Sequence, residues 1–165
     1  VITLVLGGAR SGKSEVGERL AAALGPDVTY VATAVPDPTD DDFAARIEKH
    51  QVRRPPTWVT VEVDADLPAV LADLTGPVLV DSLGTWVAAC ADTGDPDPGA
   101  LCHALAHRTG DTVVVSEEVG LGVHPSSEAG RHFRDVLGTL NRAVADVADE
   151  VLLVVAGRVL PLARP

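Results

Sequence analysis

Near the start of the chain, Gly7-Gly8-Ala9-Arg10-Ser11-Gly12-Lys13-Ser14 spells Gly-x-x-x-x-Gly-Lys-Ser. In a strand-to-helix context this pattern turns backbone N–H groups onto phosphate oxygens. Gly7 and Gly12 permit the backbone angles such a loop needs, and the helix that follows adds its positive end. Lys13 supplies a compact charge between phosphate oxygens, and Ser14 a hydroxyl suited to Mg²⁺. Lys13 is one of two lysines against eleven arginines, and it stands where an ammonium fits better than a planar guanidinium. Asp81 closes the apolar run Val78-Leu79-Val80, which suits a carboxylate that holds the metal or its waters, and equally one that contacts a nucleotide sugar or base.

A second constellation lies at 46–54, where Arg46, Lys49, Arg53 and Arg54 surround His50, with Trp58, Thr60 and Glu62 just beyond. Cations beside an imidazole, in an acidic protein, suit a second set of phosphate contacts. By itself a histidine at a helix end is more often a solvated cap. His103 and His107 lie four apart beside Cys102, a spacing that permits metal ligation but fits a partly exposed helix face better, and no zinc site is expected. Trp86 and Trp58 read as packing residues, Trp58 with the alternative of covering a base. Arg131 and Arg134 suit either a phosphate or pairing with Asp135 and Glu128.

The elements that must position these groups follow from periodicity. Val1–Leu6 predicts a strand leading into the glycine loop, and Val16, Leu20, Ala23 and Leu24 predict a helix after it. Further strands are expected over 28–33, 58–63, 78–81, 112–116 and 151–155, with a last edge strand over 158–162 that Pro161 limits. Helices are expected over about 41–50, 67–74, 84–91 and 101–108, the stretch 92–99 being the most loop-like in the chain. Phe133, Val136, Leu137, Leu140, Val144 and Val147 recur at helical spacing, so 127–148 predicts the longest helix with a core-facing stripe. Apolar strands alternating with helices indicate a mainly parallel sheet covered on both faces.

With 165 residues, 46 % apolar and 22 % charged, the chain is expected to be one soluble domain over 1–165 with a real core. No apolar run reaches the length of a membrane span. The net charge of -11 has the wrong sign for a general nucleic-acid or anionic-membrane binder, so an anionic ligand must be held by local groups. Two cysteines, Cys90 and Cys102, form no disulfide or metal framework, and no basic leader precedes Val1, so a cytoplasmic setting is expected.

Read together, Gly7–Ser14, Tyr30-Val31-Ala32-Thr33, Arg46-Ile47-x-x-His50, Arg54-Pro55-x-x-Trp58, Glu118-Val119-Gly120-x-Gly122 and Arg131-x-Phe133-Arg134-Asp135 with Asn141 resemble the bifunctional adenosylcobinamide kinase/adenosylcobinamide-phosphate guanylyltransferase family of cobalamin biosynthesis. The likeness runs nearly end to end. It implies an α/β P-loop NTPase fold of RecA-like type, with GTP, ATP and Mg²⁺ as cofactors. It also implies adenosylcobinamide and its phosphate as small-molecule partners, and a homotrimer with active sites between subunits. His50 is then the residue that becomes guanylylated. Gly7, Gly8, Ala9, Arg10, Ser11, Gly12, Lys13 and Ser14 bind the triphosphate. Ala32, Thr33, Ala34, Gln51, Val52, Arg53, Arg54, Glu62 and Asp81 contact the nucleotide. Gln51 departs from the basic residue the family often has there, and His124 from a usual aliphatic. For the kinase step, Asp81 and a glutamate of Glu117-Glu118 are alternative metal or proton partners. Two other readings use the same loop: a kinase of another small alcohol without a covalent intermediate, and a RecA-like nucleotide-driven module. The lack of a basic stripe counts against DNA work by the latter.

Overall fold

The computed structural model describes residues 1–33 and 54–164. The helix expected over 41–50, with His50, and the positions Ala34, Gln51, Val52 and Arg53 lie outside the described residues. Seven strands, β1 (Ile2–Gly7), β2 (Thr29–Ala32), β3 (Val59–Glu62), β4 (Val78–Asp81), β5 (Thr112–Glu117), β6 (Glu150–Val155) and β7 (Arg158–Pro161), form one sheet in the order β3-β2-β4-β5-β1-β6-β7. Every neighbouring pair is parallel except β6 and β7. The tight turn Ala156-Gly157, both at positive φ, joins that last pair as a hairpin. Pro161 is accommodated there because the outer side of an edge strand needs no ladder N–H.

Alternate residues of the five inner strands feed two cores. Val5, Tyr30, Leu79, Val113, Val115, Leu152 and Val154 pack against Val16 and Ala21 of α1 (Lys13–Leu24). Leu4, Leu6, Val31, Val78, Val80 and Val114 face the opposite layer. That layer holds α2 (Leu67–Asp73), α3 (Leu83–Ala89), α4 (Pro98–His107) and α5 (Glu128–Val147). The expected helices on both faces are therefore present, with α1 the only described helix on its side. The long helix carries its stripe as read: Leu137, Leu140 and Val144 are buried, and Phe133 and Val136 pack against the core. Ser127 caps it by accepting from Gly130 N–H at 3.1 Å.

Most element ends shift from the sequence reading by one or two residues, and two of the differences have a clear physical reason or bear on the site. α4 begins at Pro98, inside the stretch read as loop, because Asp97 accepts from Gly99 N–H at 2.8 Å and proline suits the first helical position. β5 runs one residue further than the apolar pattern, and its last residue is the carboxylate Glu117. Trp86 is buried and donates from Nε1 to Ala65 O at 2.9 Å, as a packing residue should. No helix among the described residues is long and apolar enough to cross a membrane.

Candidate active site

The loop between β1 and α1 closes on itself before it can hold anything else. A Cβ at Gly7 would overlap Ser11 Oγ and come within 2.9 Å of Val154 O. Gly12 sits at φ 93 and Arg10 at φ 56, left-handed angles that glycine takes without the strain a side chain brings. Ser11 N–H donates to Gly8 O at 3.3 Å, Lys13 N–H to Ser11 Oγ at 3.3 Å, and Gly157 N–H to Ser11 O at 2.8 Å. The β6–β7 turn thus buttresses the loop from outside. Ala9 and Arg10 are exposed, and Gly8, Lys13 and Ser14 half-buried, so the concave side is reachable.

Two carboxylates flank the loop's reactive pair. Ser14 Oγ donates to Asp81 Oδ1 at 3.2 Å, and Lys13 Nζ lies 3.3 Å from Glu117 Oε1. Strand register explains both. Asp81 follows Leu79, and Glu117 follows Val113 and Val115, in rows that face α1; each row ends in a carboxylate on the loop's side of the sheet because strand side chains alternate faces. Asp81 also accepts from Tyr30 Oη at 3.0 Å. Burial first, and the Asp81 charge second, push the Tyr30 phenol far above its ordinary range, so it remains a donor at any working pH.

Around this centre the other expected residues take distinct places. Ala32 pairs with Asp81 across the β2–β4 register. Thr33 is fully buried, and its hydroxyl binds Ser82 O at 2.6 Å, accepts from Ser82 N–H at 3.0 Å and meets Thr85 Oγ1 at 2.6 Å; it fixes the chain after β4. Arg54 lays its guanidinium over the Tyr30 ring, 3.3 Å from the centroid, and reaches Thr60 Oγ1 at 3.4 Å. Its Nε is buried and makes no hydrogen bond among the described residues. Arg54, Pro55, Pro56, Trp58, Thr60 and Glu62 line an open cleft of about 590 Å³ on the β3 side, with Glu62 exposed. The tyrosine stack connects this cleft to Asp81, and so to the loop. Trp58 is therefore where it could cover a ring.

Other groups singled out by sequence lie elsewhere or turn inward. The His103 and His107 rings stack with centroids 4.0 Å apart on an exposed face of α4. Arg134 pairs with Asp135 at 2.8 Å and bonds His124 Nδ1 at 2.9 Å, while Arg131 caps the carbonyls of Pro125 and Ser126. Ser82, Gly84 and Thr85 belong to none of the motifs above. The Ser-x-x-Thr spacing that starts α3 was their only signal: Ser82 and Thr85 make a reciprocal cap. Asn141 entered only through the resemblance. It is buried, accepts from Ser116 Oγ at 2.5 Å and donates to Glu117 O at 2.9 Å.

Chemically, the Lys13 ammonium and the backbone N–H groups of the glycine loop can neutralise and position a triphosphate, while the two carboxylates orient the ammonium and the hydroxyl beside it. Ser14 Oγ and Asp81 Oδ1 form a hard-oxygen donor pair of the kind Mg²⁺ prefers.

A family model described as cobinamide kinase / cobinamide phosphate guanyltransferase matches residues 3–162. The bifunctional adenosylcobalamin biosynthesis protein CobP of Pseudomonas aeruginosa is 40 % identical over 167 residues, covering 96 % of this chain and 95 % of that one. The bifunctional adenosylcobalamin biosynthesis protein CobU of Salmonella typhimurium is 37 % identical over 178 residues, covering 95 % and 97 %. Among solved structures, an ATPase from the type III secretion system of pathogenic bacteria superposes with a TM-score of 0.54 at 14 % identity, over 92 % of this chain and 51 % of that one. That likeness is one of fold, the P-loop NTPase α/β architecture.

Proposed function

Because the chain belongs to the cobinamide kinase / cobinamide phosphate guanyltransferase family, we propose that one domain over 1–165 phosphorylates adenosylcobinamide with ATP or GTP. It then carries GMP from GTP, through a guanylyl-histidine at His50, onto that phosphate to give adenosylcobinamide-GDP. The observation that supports this best is the loop at the end of β1 whose Lys13 and Ser14 stand 3.3 and 3.2 Å from the carboxylates of Glu117 and Asp81.

In the kinase step, Gly7 to Ser14 hold the triphosphate through backbone N–H groups, and Lys13 turns onto the phosphate oxygens, where charge develops during transfer. Ser14 and Asp81 are the residues that would hold Mg²⁺. When bound, the ion neutralises negative charge on the donor phosphates. In-line transfer then needs little from the protein beyond positioning.

In the second step a neutral ring nitrogen of His50 attacks the α-phosphorus of GTP, the bond to the bridging oxygen breaks, and pyrophosphate leaves. The phosphoramidate so formed is attacked by the substrate's phosphate, which returns the imidazole and completes two easier displacements in place of one hard one. Ala32, Thr33, Ala34, Gln51 to Arg54, Glu62 and Asp81 make up the nucleotide's surroundings, the Tyr30–Arg54 stack linking the β3 cleft to the loop. The protein works in the cytoplasm as a homotrimer, which analytical ultracentrifugation tests.

GTP labelled at the α-phosphate tests the covalent step. An acid-labile, base-stable label should remain on the wild-type protein and be missing from His50→Ala, which should still pass a γ-phosphoryl group to adenosylcobinamide. Label retained by His50→Ala contradicts the intermediate. Transfer from the γ-position alone, with no protein-bound label, supports the simpler alcohol kinase instead.

A further inference from the structure

Glu117 is held more firmly than a mere partner for Lys13 requires. Its carboxylate accepts from Ser82 Oγ at 2.9 and 3.0 Å and from Gly84 N–H at 2.9 Å. A Cβ at Gly84 would displace this same carboxylate. From behind, Glu117 O accepts from the buried Asn141, which Ser116 holds in turn. The Lys13 contact, at 3.3 Å, is the longest of the set and falls outside the 2.7–2.9 Å of a strong charge-assisted bond. It is also the one contact that a phosphate oxygen can replace.

Register sets Glu117 apart from Asp81. Asp81 is level with Val115, whereas Glu117 is level with Gly7, two residues or about 6–7 Å further along the strand direction. Asp81 faces the Ser14 hydroxyl and the Tyr30 phenol, which suits the metal side. Glu118 folds back onto Gly120 N–H at 2.6 Å. Of the three carboxylates, Glu117 alone is both fixed from several directions and aimed at the Lys13 ammonium.

Resting on the kinase reading above, we propose that Glu117 receives the proton of the acceptor hydroxyl during phosphoryl transfer, and that Ser82, Gly84 and Asn141 hold it in position for this. A triphosphate in the loop draws Lys13 onto the phosphate oxygens, which frees the Glu117 oxygen that faced the ammonium to take up the hydroxyl's proton. As the acceptor oxygen bonds to the γ-phosphorus, the bond from that phosphorus to the β–γ bridging oxygen breaks. Its electron pair leaves with the nucleoside diphosphate. The hydroxyl proton passes to Glu117 and afterwards to water.

The test compares Glu117→Gln, Glu117→Asp and Ser82→Ala with wild type in γ-phosphoryl transfer to adenosylcobinamide, in GTP binding by calorimetry and in guanylylation from α-labelled GTP. Glu117→Gln should lower kcat of the kinase step by about 10²–10³-fold, while GTP affinity and guanylylation stay within about threefold. Glu117→Asp should recover part of the rate, and Ser82→Ala should lose about tenfold in kcat with KM for the nucleotide unchanged. A Glu117→Gln enzyme that phosphorylates at the wild-type rate overturns the proposal alone. So does one that loses GTP binding and both activities together, if Glu117→Asp does the same. A wild-type enzyme that transfers no γ-phosphoryl group to adenosylcobinamide overturns the kinase reading and this proposal with it.

Discussion

The two ends of the central strands each hold a cation, and they hold it differently. At the amino-terminal ends of β4 and β5, Arg108 donates to Gly76 O at 2.7 Å, Gly110 O at 2.9 Å, Asp111 O at 3.2 Å and Thr112 Oγ1 at 2.5 Å. Burial pulls its basicity down, and nearby Asp111 partly offsets this. At the carboxyl-terminal ends, Lys13 meets one carboxylate at 3.3 Å. Carbonyls fixed in the chain cannot be exchanged, so Arg108 is a staple. A single side-chain carboxylate can give way to a phosphate, so Lys13 is a ligand-binding group. Which edge of the sheet is functional follows from what satisfies its charges more than from how many charges it has.

The largest effect expected from breaking this contrast is at Lys13. Lys13→Ala should reduce both phosphoryl transfer and guanylylation by at least about 10³-fold, with a melting temperature within a few degrees of wild type, since Glu117 keeps its bonds to Ser82 and Gly84. Activity assays beside thermal unfolding check both halves. Arg108→Ala should do the reverse. It strips partners from three carbonyls and should cost about 2–3 kcal/mol of stability by denaturant titration, while activity per folded molecule persists. Should Arg108→Ala instead fold normally and lose nucleotide binding, the two ends have been assigned wrongly.

A smaller effect is expected behind the reactive edge. Asn141→Leu removes the hydrogen bonds to Ser116 Oγ and Glu117 O and leaves a buried hydroxyl and a carbonyl short of partners, at a cost of about 1–3 kcal/mol. Some kinase rate should go with it, because the backbone of Glu117 loses its anchor.

The smallest is a spectroscopic one. Tyr30 is the chain's only tyrosine, so alkaline absorbance titration reads it alone. Its midpoint in the folded protein should lie above the ordinary value of 10.0, and Asp81→Asn should reduce the displacement while leaving the larger part, which burial causes. The sign for stability follows. A group whose folded pKa is raised contributes fully below its unfolded pKa, so Tyr30 should begin to destabilise the fold only as pH rises through about 10. A midpoint at the unfolded value would mean that Tyr30 is neither buried nor bonded to Asp81.

How far this was legible in the sequence differs by element. The glycine loop, the carboxylate after Val78–Val80 and the stripe of α5 were readable because each depends on local pattern: fixed spacing, a strand terminus, a 3.6-residue period. The start of α4 was misread because five polar, proline and glycine residues at 95–99 outweigh the Asp97 cap in composition, although the cap decides the structure. Glu117 was visible as one of two adjacent glutamates and no more. Choosing between them needs the β1–β5 register and the contacts of Ser82 and Gly84, which join segments more than thirty residues apart. The same holds for the Arg54–Tyr30 stack, which links β2 to the segment before β3. Local chemistry could be read along the chain; the pairing of distant side chains could not.

Crystallography of the protein with a non-hydrolysable GTP analogue tests the central claim most directly. The account predicts the triphosphate within about 3 Å of the Gly8–Ser14 backbone amides, with Lys13 Nζ moved from Glu117 onto a phosphate oxygen. A triphosphate lying in the Arg54–Glu62 cleft, with Lys13 still against Glu117, would contradict it.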